Sequence, residues 1–177
     1  LPAVLQEGRG IYISEATIEA ITAAVDALPL GEHDTVAIFL GEADRPDLGQ
    51  LVDALNERDI EFFGGFFPGI IHGADVSSAG ALVLSLPMLA PPILIRGLER
   101  PEIPLPAFPA FLTRSPPTKA TALLFVDGLT THISHFLSEV FKKLGSAVNY
   151  LGGGRGRSAF RRSPASSPAR GCFATPQ

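Results

Sequence analysis

One cysteine, Cys172, stands in 177 residues, so no disulfide can close within the chain and a reducing compartment, the cytoplasm, is expected. No apolar run reaches the roughly 18 residues that a membrane-spanning helix needs. The nearest approach, Ala79 to Ile95, is broken by Pro87, Pro91 and Pro92 and reads as two strands. No basic, apolar, small-residue leader opens the chain, so secretion is not expected. The start on Leu1 reads as trimmed or incomplete. Acidic residues are missing after position 154, where Arg155, Arg157, Arg161, Arg162 and Arg170 meet no Asp or Glu. Taking those five from the 14 basic residues leaves nine against 18 acids, and a body that acidic repels nucleic acid and anionic membranes. Neither is expected as a partner. With 46% hydrophobic residues the chain is not of the disordered class, and its length suffices for one domain or two small lobes.

What is present is one pattern written twice. Val36 to Leu40 is a short, fully apolar strand of the kind buried on both faces of a parallel sheet. Pro46 suits the first turn of a helix carrying Leu48, Leu51, Val52 and Leu55, and the strand Ile60 to Phe63 ends at Gly64 and Gly65. The second copy runs from a strand at Ala122 to Val126 through a helix with Ile133, Phe136, Leu137, Val140, Phe141 and Leu144 on one face. Gly145 stops that helix, and the strand Ala147 to Leu151 leads into Gly152, Gly153 and Gly154. Strand–helix–strand units of this kind set their two strands parallel. Before the first copy, Ser14 is a cap for a helix with Ile18, Ile21, Val25 and Leu28 on one face. After it, a loop from Phe66 to Ser78 precedes two strands, Ala81 to Leu86 and Ile93 to Gly97, read as a hairpin. Nine of the 16 prolines lie between Pro87 and Pro117, and Arg100 to Thr118 reads as an extended linker between the lobes.

The stretch Phe63-Gly64-Gly65-Phe66-Phe67-Pro68-Gly69-Ile70-Ile71-His72-Gly73, followed by Ala79-Gly80-Ala81-Leu82-Val83-Leu84, resembles the FIST sensor family. Leu123 to Leu129 and Tyr150 to Gly154 resemble the next stretch of that family's pattern, so the resemblance covers roughly residues 11 to 154. It implies a non-catalytic, cytoplasmic signal-transduction sensor for small molecules such as amino acids. It further implies a signalling partner of the histidine kinase, chemotaxis-receptor or cyclic-dinucleotide-synthase kind. A carboxy-terminal domain normally follows in that family and is not read here, so the sensor domain is expected to be truncated. Residues 1–154 would form it, as half-repeats at about 11–97 and 119–154. Residues 155–177, rich in Arg, Ser, Pro and Ala, read either as a disordered basic tail or as a frameshifted segment of a GC-rich gene.

Candidate ligand-binding residues are Gly64, Gly65, Pro68, Gly69, His72, Asp127, Gly152, Gly153 and Gly154. Glycines at strand ends let a ligand approach backbone N–H groups, His72 offers an imidazole that can hydrogen-bond a carboxylate, and Asp127 offers a carboxylate to a ligand amine. Turn glycines and a loop-capping aspartate are the plainer roles for the same residues. Gly152-x-Gly154 lacks the third glycine of a dinucleotide fingerprint, so no cofactor is expected. His132 and His135 have the spacing of a metal pair but no local third ligand, and no metal is expected. Phe62, Phe63, Phe66 and Phe67 are core residues by default. The expected fold is α/β: two strand–helix–strand lobes with mixed or parallel sheet, joined by the Pro-rich linker. An α/β hydrolase or transferase using His72 or Asp127 is the alternative function, and an interaction domain docking through its Pro-rich strip is a third.

Overall fold

The computed structural model describes residues 9–100, 102–103, 105–114, 120–155 and 159–161. Its elements run β1 (Gly10–Ile13), α1 (Ile18–Ala27), β2 (Asp34–Gly41), α2 (Leu48–Asn56), β3 (Phe62–Phe67), β4 (Ile70–His72), β5 (Asp75–Ser77) and β6 (Ala81–Pro87). They continue with α3 (Ala110–Arg114), β7 (Ala120–Asp127), α4 (Ile133–Leu144), a 3-10 turn (Gly145–Ala147), β8 (Val148–Arg155) and β9 (Ala159–Arg161). The fold is α/β, and the chain divides into two compact units, 1–92 with 158–177 and 93–157.

In the first unit five strands lie in the order β1-β6-β2-β3-β9. β2 and β3 are parallel, as a strand–helix–strand unit requires, and the other neighbours are antiparallel. Strand alternation puts Val36, Ile38 and Leu40 on one face with Phe62, Phe66, Ala81 and Val83. Helices α1 and α2 cover that face with Ile21, Val25, Leu51, Val52 and Leu55, and most of these side chains are wholly excluded from water. Burying that many large aliphatic side chains, at roughly 1.5–3 kcal/mol each, is what holds the sheet and helices together. Thr17 caps α1 by accepting the Ala20 N–H at 3.1 Å, and Asp47 caps α2 by accepting Gln50 N–H at 2.9 Å. The cap thus falls at Thr17 instead of Ser14, because the apolar stripe begins only at Ile18. Pro46 lies one residue before the second cap and not inside the helix.

Behind the sheet β4 and β5 form a two-stranded hairpin across the segment that reads as a loop in sequence. Its two-residue turn places Gly73 at φ +60, a conformation glycine adopts at no steric cost. Gly80, at φ +85, joins the hairpin to β6; a Cβ there would run into the carbonyl oxygen of Ile13.

The second unit contains a parallel β7–β8 pair in which Ala120 stands opposite Val148 and Asp127 opposite Arg155. One stripe of α4, Phe136, Val140 and Leu144, packs on Ala120, Val126 and Val148. Gly145, at φ +70, ends that helix as expected and donates its N–H to the Phe141 carbonyl.

Three expectations need correction here. Ile93–Gly97 forms no strand and no hairpin with β6; the prolines at 91 and 92 withhold the N–H groups a ladder needs. The described part of the Pro-rich stretch is also not a free linker. Ile95, Leu98, Ile103, Leu105, Phe108 and Leu112 pack against the α4 core, and Ala110–Arg114 turns into helix α3. Apolar residues spaced between the prolines give this strap its grip, and they follow neither a helical nor an alternating period. The boundary set at Gly154 falls inside β8, and Ala159–Arg161 pairs with β3, so strand structure continues past it. The rest of the arginine-rich segment lies outside the described residues.

Candidate functional site

The candidate residues divide between the two units. In the first unit Gly64 and Gly65 do not end a strand. They occupy the middle of β3, paired to Ile38 and Phe39 of β2 on one side and to Phe160 and Ala159 of β9 on the other. The strand runs on because Phe66 and Phe67 continue the register opposite Leu40 and Gly41. Gly65 is buried beside Phe39, whose ring meets Phe67 edge-on at 5.2 Å and Phe63 at 6.5 Å. A missing side chain at Gly65 is thus where an aromatic cluster fits.

Pro68 and Gly69 form the turn that follows β3, at the carboxyl end of the parallel pair where open α/β sheets accept ligands. That end is stitched by backbone bonds: Gly41 N–H donates to Gly80 O at 2.9 Å, Glu42 N–H to Phe67 O at 3.1 Å, and Ala43 N–H to Ser78 O at 2.9 Å. Arg45 lies there too, its guanidinium 4.8 Å from the centre of the Phe66 ring and 3.6 Å from the Glu42 carboxylate. His72 closes β4 and is exposed, and its ring stacks on that of Tyr12 with centroids 4.6 Å apart and planes 15° from parallel. Neither Tyr12 nor Arg45 was legible as a site residue, since each lies in an unremarkable local pattern.

In the second unit Asp127 ends β7 and its carboxylate accepts the Leu129 N–H at 3.0 Å. Its carbonyl accepts the Thr130 N–H at 3.1 Å, and Thr130 in turn donates its hydroxyl to Leu98 O at 3.1 Å. The aspartate therefore holds the turn toward Thr130, the plainer of its two expected roles, and keeps one carboxylate oxygen without a described donor. Gly152, Gly153 and Gly154 lie within β8 opposite Leu124, Phe125 and Val126 and are exposed. Gly152 has φ +153, and a Cβ on it would overlap the Leu124 carbonyl; nothing stands near a Cβ at Gly153. His132 begins α4 without a side-chain cap bond, and His135 is exposed one turn on. Among the described residues no three His, Cys, Asp or Glu gather as a metal site.

The second unit also holds a groove of about 490 Å³ between α4 and the sheet. Leu137, Ser138, Phe141 and Lys142 of α4 line it above Leu124 and Tyr150. The Tyr150 and Phe141 rings lie 5.7 Å apart, and the Tyr150 hydroxyl donates to Gly145 O at 2.6 Å. Burial pushes the Tyr150 phenol above its ordinary pKa, so it stays a neutral donor. Lys142 is held by Glu139 at 2.6 Å, and that bond keeps the Glu139 carboxyl below the usual carboxylate range.

No helix among the described residues is long and apolar enough to cross a membrane. No curated protein and no solved structure matches the chain. A family model does, the FIST N domain, over residues 34–170. The match takes in both parallel strand pairs and runs on into the arginine-rich segment. With most of its length matched and both glycine-bearing strand–helix–strand units inside the matched range, the chain belongs to the FIST family of signal-transduction sensor domains.

Proposed function

We propose that this chain is the ligand-sensing part of a signal-transduction protein and binds a small molecule without turning it over. Membership of the FIST family carries the reading. The ligand class to test first is the free amino acids, and the output partner is a histidine kinase, chemotaxis-receptor or cyclic-dinucleotide module. The cytoplasm is the proposed compartment, in keeping with the single cysteine.

The site residues remain those named from the sequence, with Arg45 added. At the carboxyl end of the β2–β3 pair, Arg45 is a cation suited to an amino-acid carboxylate, with Pro68 and Gly69 in the adjoining turn and the His72–Tyr12 stack on the hairpin. In the second unit the Asp127 carboxylate suits a ligand amine, with Gly152 to Gly154 on the neighbouring strand. Binding would favour one arrangement of the chain over another, and that population shift would be the signal.

A thermal-shift screen of the amino acids tests this directly. A ligand present at a hundred times its Kd raises stability by about 2.7 kcal/mol, a shift of several degrees for a domain of this size. The same mixtures are assayed for product. A shift without turnover, reduced by Arg45→Ala or Asp127→Ala, supports the sensor. Turnover that His72→Ala abolishes would replace it with the hydrolase or transferase alternative.

A further inference from the structure

The ion pairs among the described residues are of two kinds. Arg58 grips Asp26 with two hydrogen bonds of 2.8 and 2.9 Å, Lys142 holds Glu139 at 2.6 Å, and Arg9 holds Asp34 at 3.2 Å. Arg45 and Glu42 are different. The Arg45 Nη2 stands 3.6 Å from the Glu42 Oε1, beyond hydrogen-bond length, and the two side chains are 48% and 36% exposed. Arg100 and Glu99 are as far apart, but they are neighbours in sequence and 74% and 73% exposed.

The loose pair of Arg45 and Glu42 is nonetheless fixed in place by other contacts. Arg45 donates its Nε–H to the Glu42 carbonyl at 3.1 Å and lies over the ring of Phe66, a buried core residue. Glu42 is pinned through its own N–H, which donates to Phe67 O at 3.1 Å. Both charges therefore stand on a held loop at the carboxyl end of β2, where open α/β sheets take their ligands. The neighbouring charges decide what fits there. Between Gly41 and Leu48 the loop carries Glu42, Asp44 and Asp47 against the single Arg45. A plain carboxylate that reaches Arg45 is repelled by those acids, and a plain amine that reaches Glu42 meets Arg45. A molecule with both charges side by side is attracted at both ends.

Resting on the sensor reading above, we propose that this pair reads the head group of a free α-amino acid, Arg45 taking its carboxylate and Glu42 its ammonium. In an amino acid the ammonium nitrogen lies about 3 Å from the carboxylate oxygens. The Arg45 and Glu42 atoms are 3.6 Å apart, a similar span. The head group thus lies alongside the pair and antiparallel to it, each charge against its opposite, and the protein's own pair need not separate. Arg45 keeps its Nε–H on the Glu42 carbonyl and turns its terminal N–H groups to the carboxylate. The Nε bond and the Phe66 ring hold the guanidinium before the ligand arrives, so little side-chain freedom is lost on binding. Capping either end of the amino acid removes one charge and leaves the other facing the wrong partner's repulsion. Peptides, N-acyl amino acids and amino-acid amides are therefore refused.

Isothermal calorimetry on the full chain tests this, with the proteinogenic amino acids as probes, each beside its N-acetyl and amide forms. At least one free amino acid should bind, and both of its capped forms should bind at least about tenfold more weakly. Glu42→Gln should weaken the free amino acid by a similar factor and remove its advantage over the N-acetyl form. Arg45→Gln should weaken it likewise and remove its advantage over the amide. Exposed pairs of this kind add little stability, so both variants should keep the wild-type melting profile. Glu99→Gln, at the other loose pair, is the control and should leave binding unchanged. An amino acid that binds the wild type and Glu42→Gln alike overturns the proposal and leaves the sensor standing. So do capped forms that bind as well as the free amino acid, or a loss of binding seen with Asp127→Ala and not with Glu42→Gln. If no amino acid binds the wild type, the reading of the chain as an amino-acid sensor falls, and the role given to Arg45 and Glu42 falls with it.

Discussion

β2 and β7 are strands of the same length at the start of the same kind of strand–helix–strand unit, yet they live in different surroundings. β2 has β6 on one edge and β3 on the other, with α1 and α2 packed above, and Val36, Ala37, Ile38 and Leu40 have no exposure at all. β7 has only β8 beside it among the described residues, and Leu123 remains 36% exposed. The lesson is that a short apolar strand records the burial a sheet can offer and does not supply it. The first unit recruits β1, β6 and a second helix from elsewhere in the chain. The second recruits the strap of Pro-rich sequence, whose described apolar residues pack on the α4 core.

The contrast is broken most severely by substitutions in the first core. Phe62 is wholly buried among α1, α2 and the sheet, and Phe62→Ala should cost about 3–5 kcal/mol in urea unfolding. The equivalent cut at half-exposed Phe141 should cost under about 1 kcal/mol, and equal losses would show that the two units are buried alike. Next in size is a test of the parallel pair in the second unit. Gly152→Ala drives a Cβ into the Leu124 carbonyl and should cost well over about 1 kcal/mol, while Gly153→Ala, with open space around it, should stay within about 0.5 kcal/mol. Amide hydrogen exchange at Leu123 to Phe125 reads the difference: faster exchange in the first variant only.

Asp34 sharpens the comparison from the side of charge, because it anchors the start of β2. Its side chain is 5% exposed, and it accepts the Gly31 N–H at 2.9 Å, the Ser85 hydroxyl at 2.9 Å and the Arg9 guanidinium at 3.2 Å. The Gly31 N–H, with Ser85 and Arg9, holds its carboxyl below the usual aspartate value against the opposing effect of burial. A depressed folded pKa means the carboxylate's stabilisation is fully present above the ordinary value near 4 and is lost as pH falls through the folded value. Asp34→Ala should therefore cost about 1–3 kcal/mol at neutral pH and flatten the loss of stability as pH falls below about 4. An unchanged acid limb would remove Asp34 from the account. The smallest effect concerns helix starts. Asp47→Ala removes the cap of α2 and should cost about 1 kcal/mol, whereas His132→Ala at the uncapped start of α4 should cost only a few tenths.

Much of the fold was legible from residue spacing. Leu48, Leu51, Val52 and Leu55 announced α2, Ile133 to Leu144 announced α4, and Gly145 marked its end. The two parallel pairs followed from the strand–helix–strand pattern, since a crossover helix returns the chain in the same direction. Less of the candidate site was legible. Gly64, Gly65 and Gly152 to Gly154 read as strand ends because glycine is usually punctuation, but they lie inside β3 and β8. There Gly65 stands opposite Phe39, and Gly152 lies so close to the Leu124 carbonyl that a side chain on it would overlap that group. The β4–β5 hairpin was hidden because three-residue strands are too short to show alternation, and the His72–Tyr12 stack joins residues sixty positions apart in sequence.

By itself the sequence determined which segments become helix or strand, their parallel pairing within each unit and the family to which they belong, because these rest on local periodicity and short crossovers. Only the tertiary structure decided which strands gain neighbours on both edges, which glycines stand inside a sheet, and that the Pro-rich stretch is a strap. Those depend on long-range register and burial. No local pattern encodes them, because a strand's own residues do not reveal what will lie beside it.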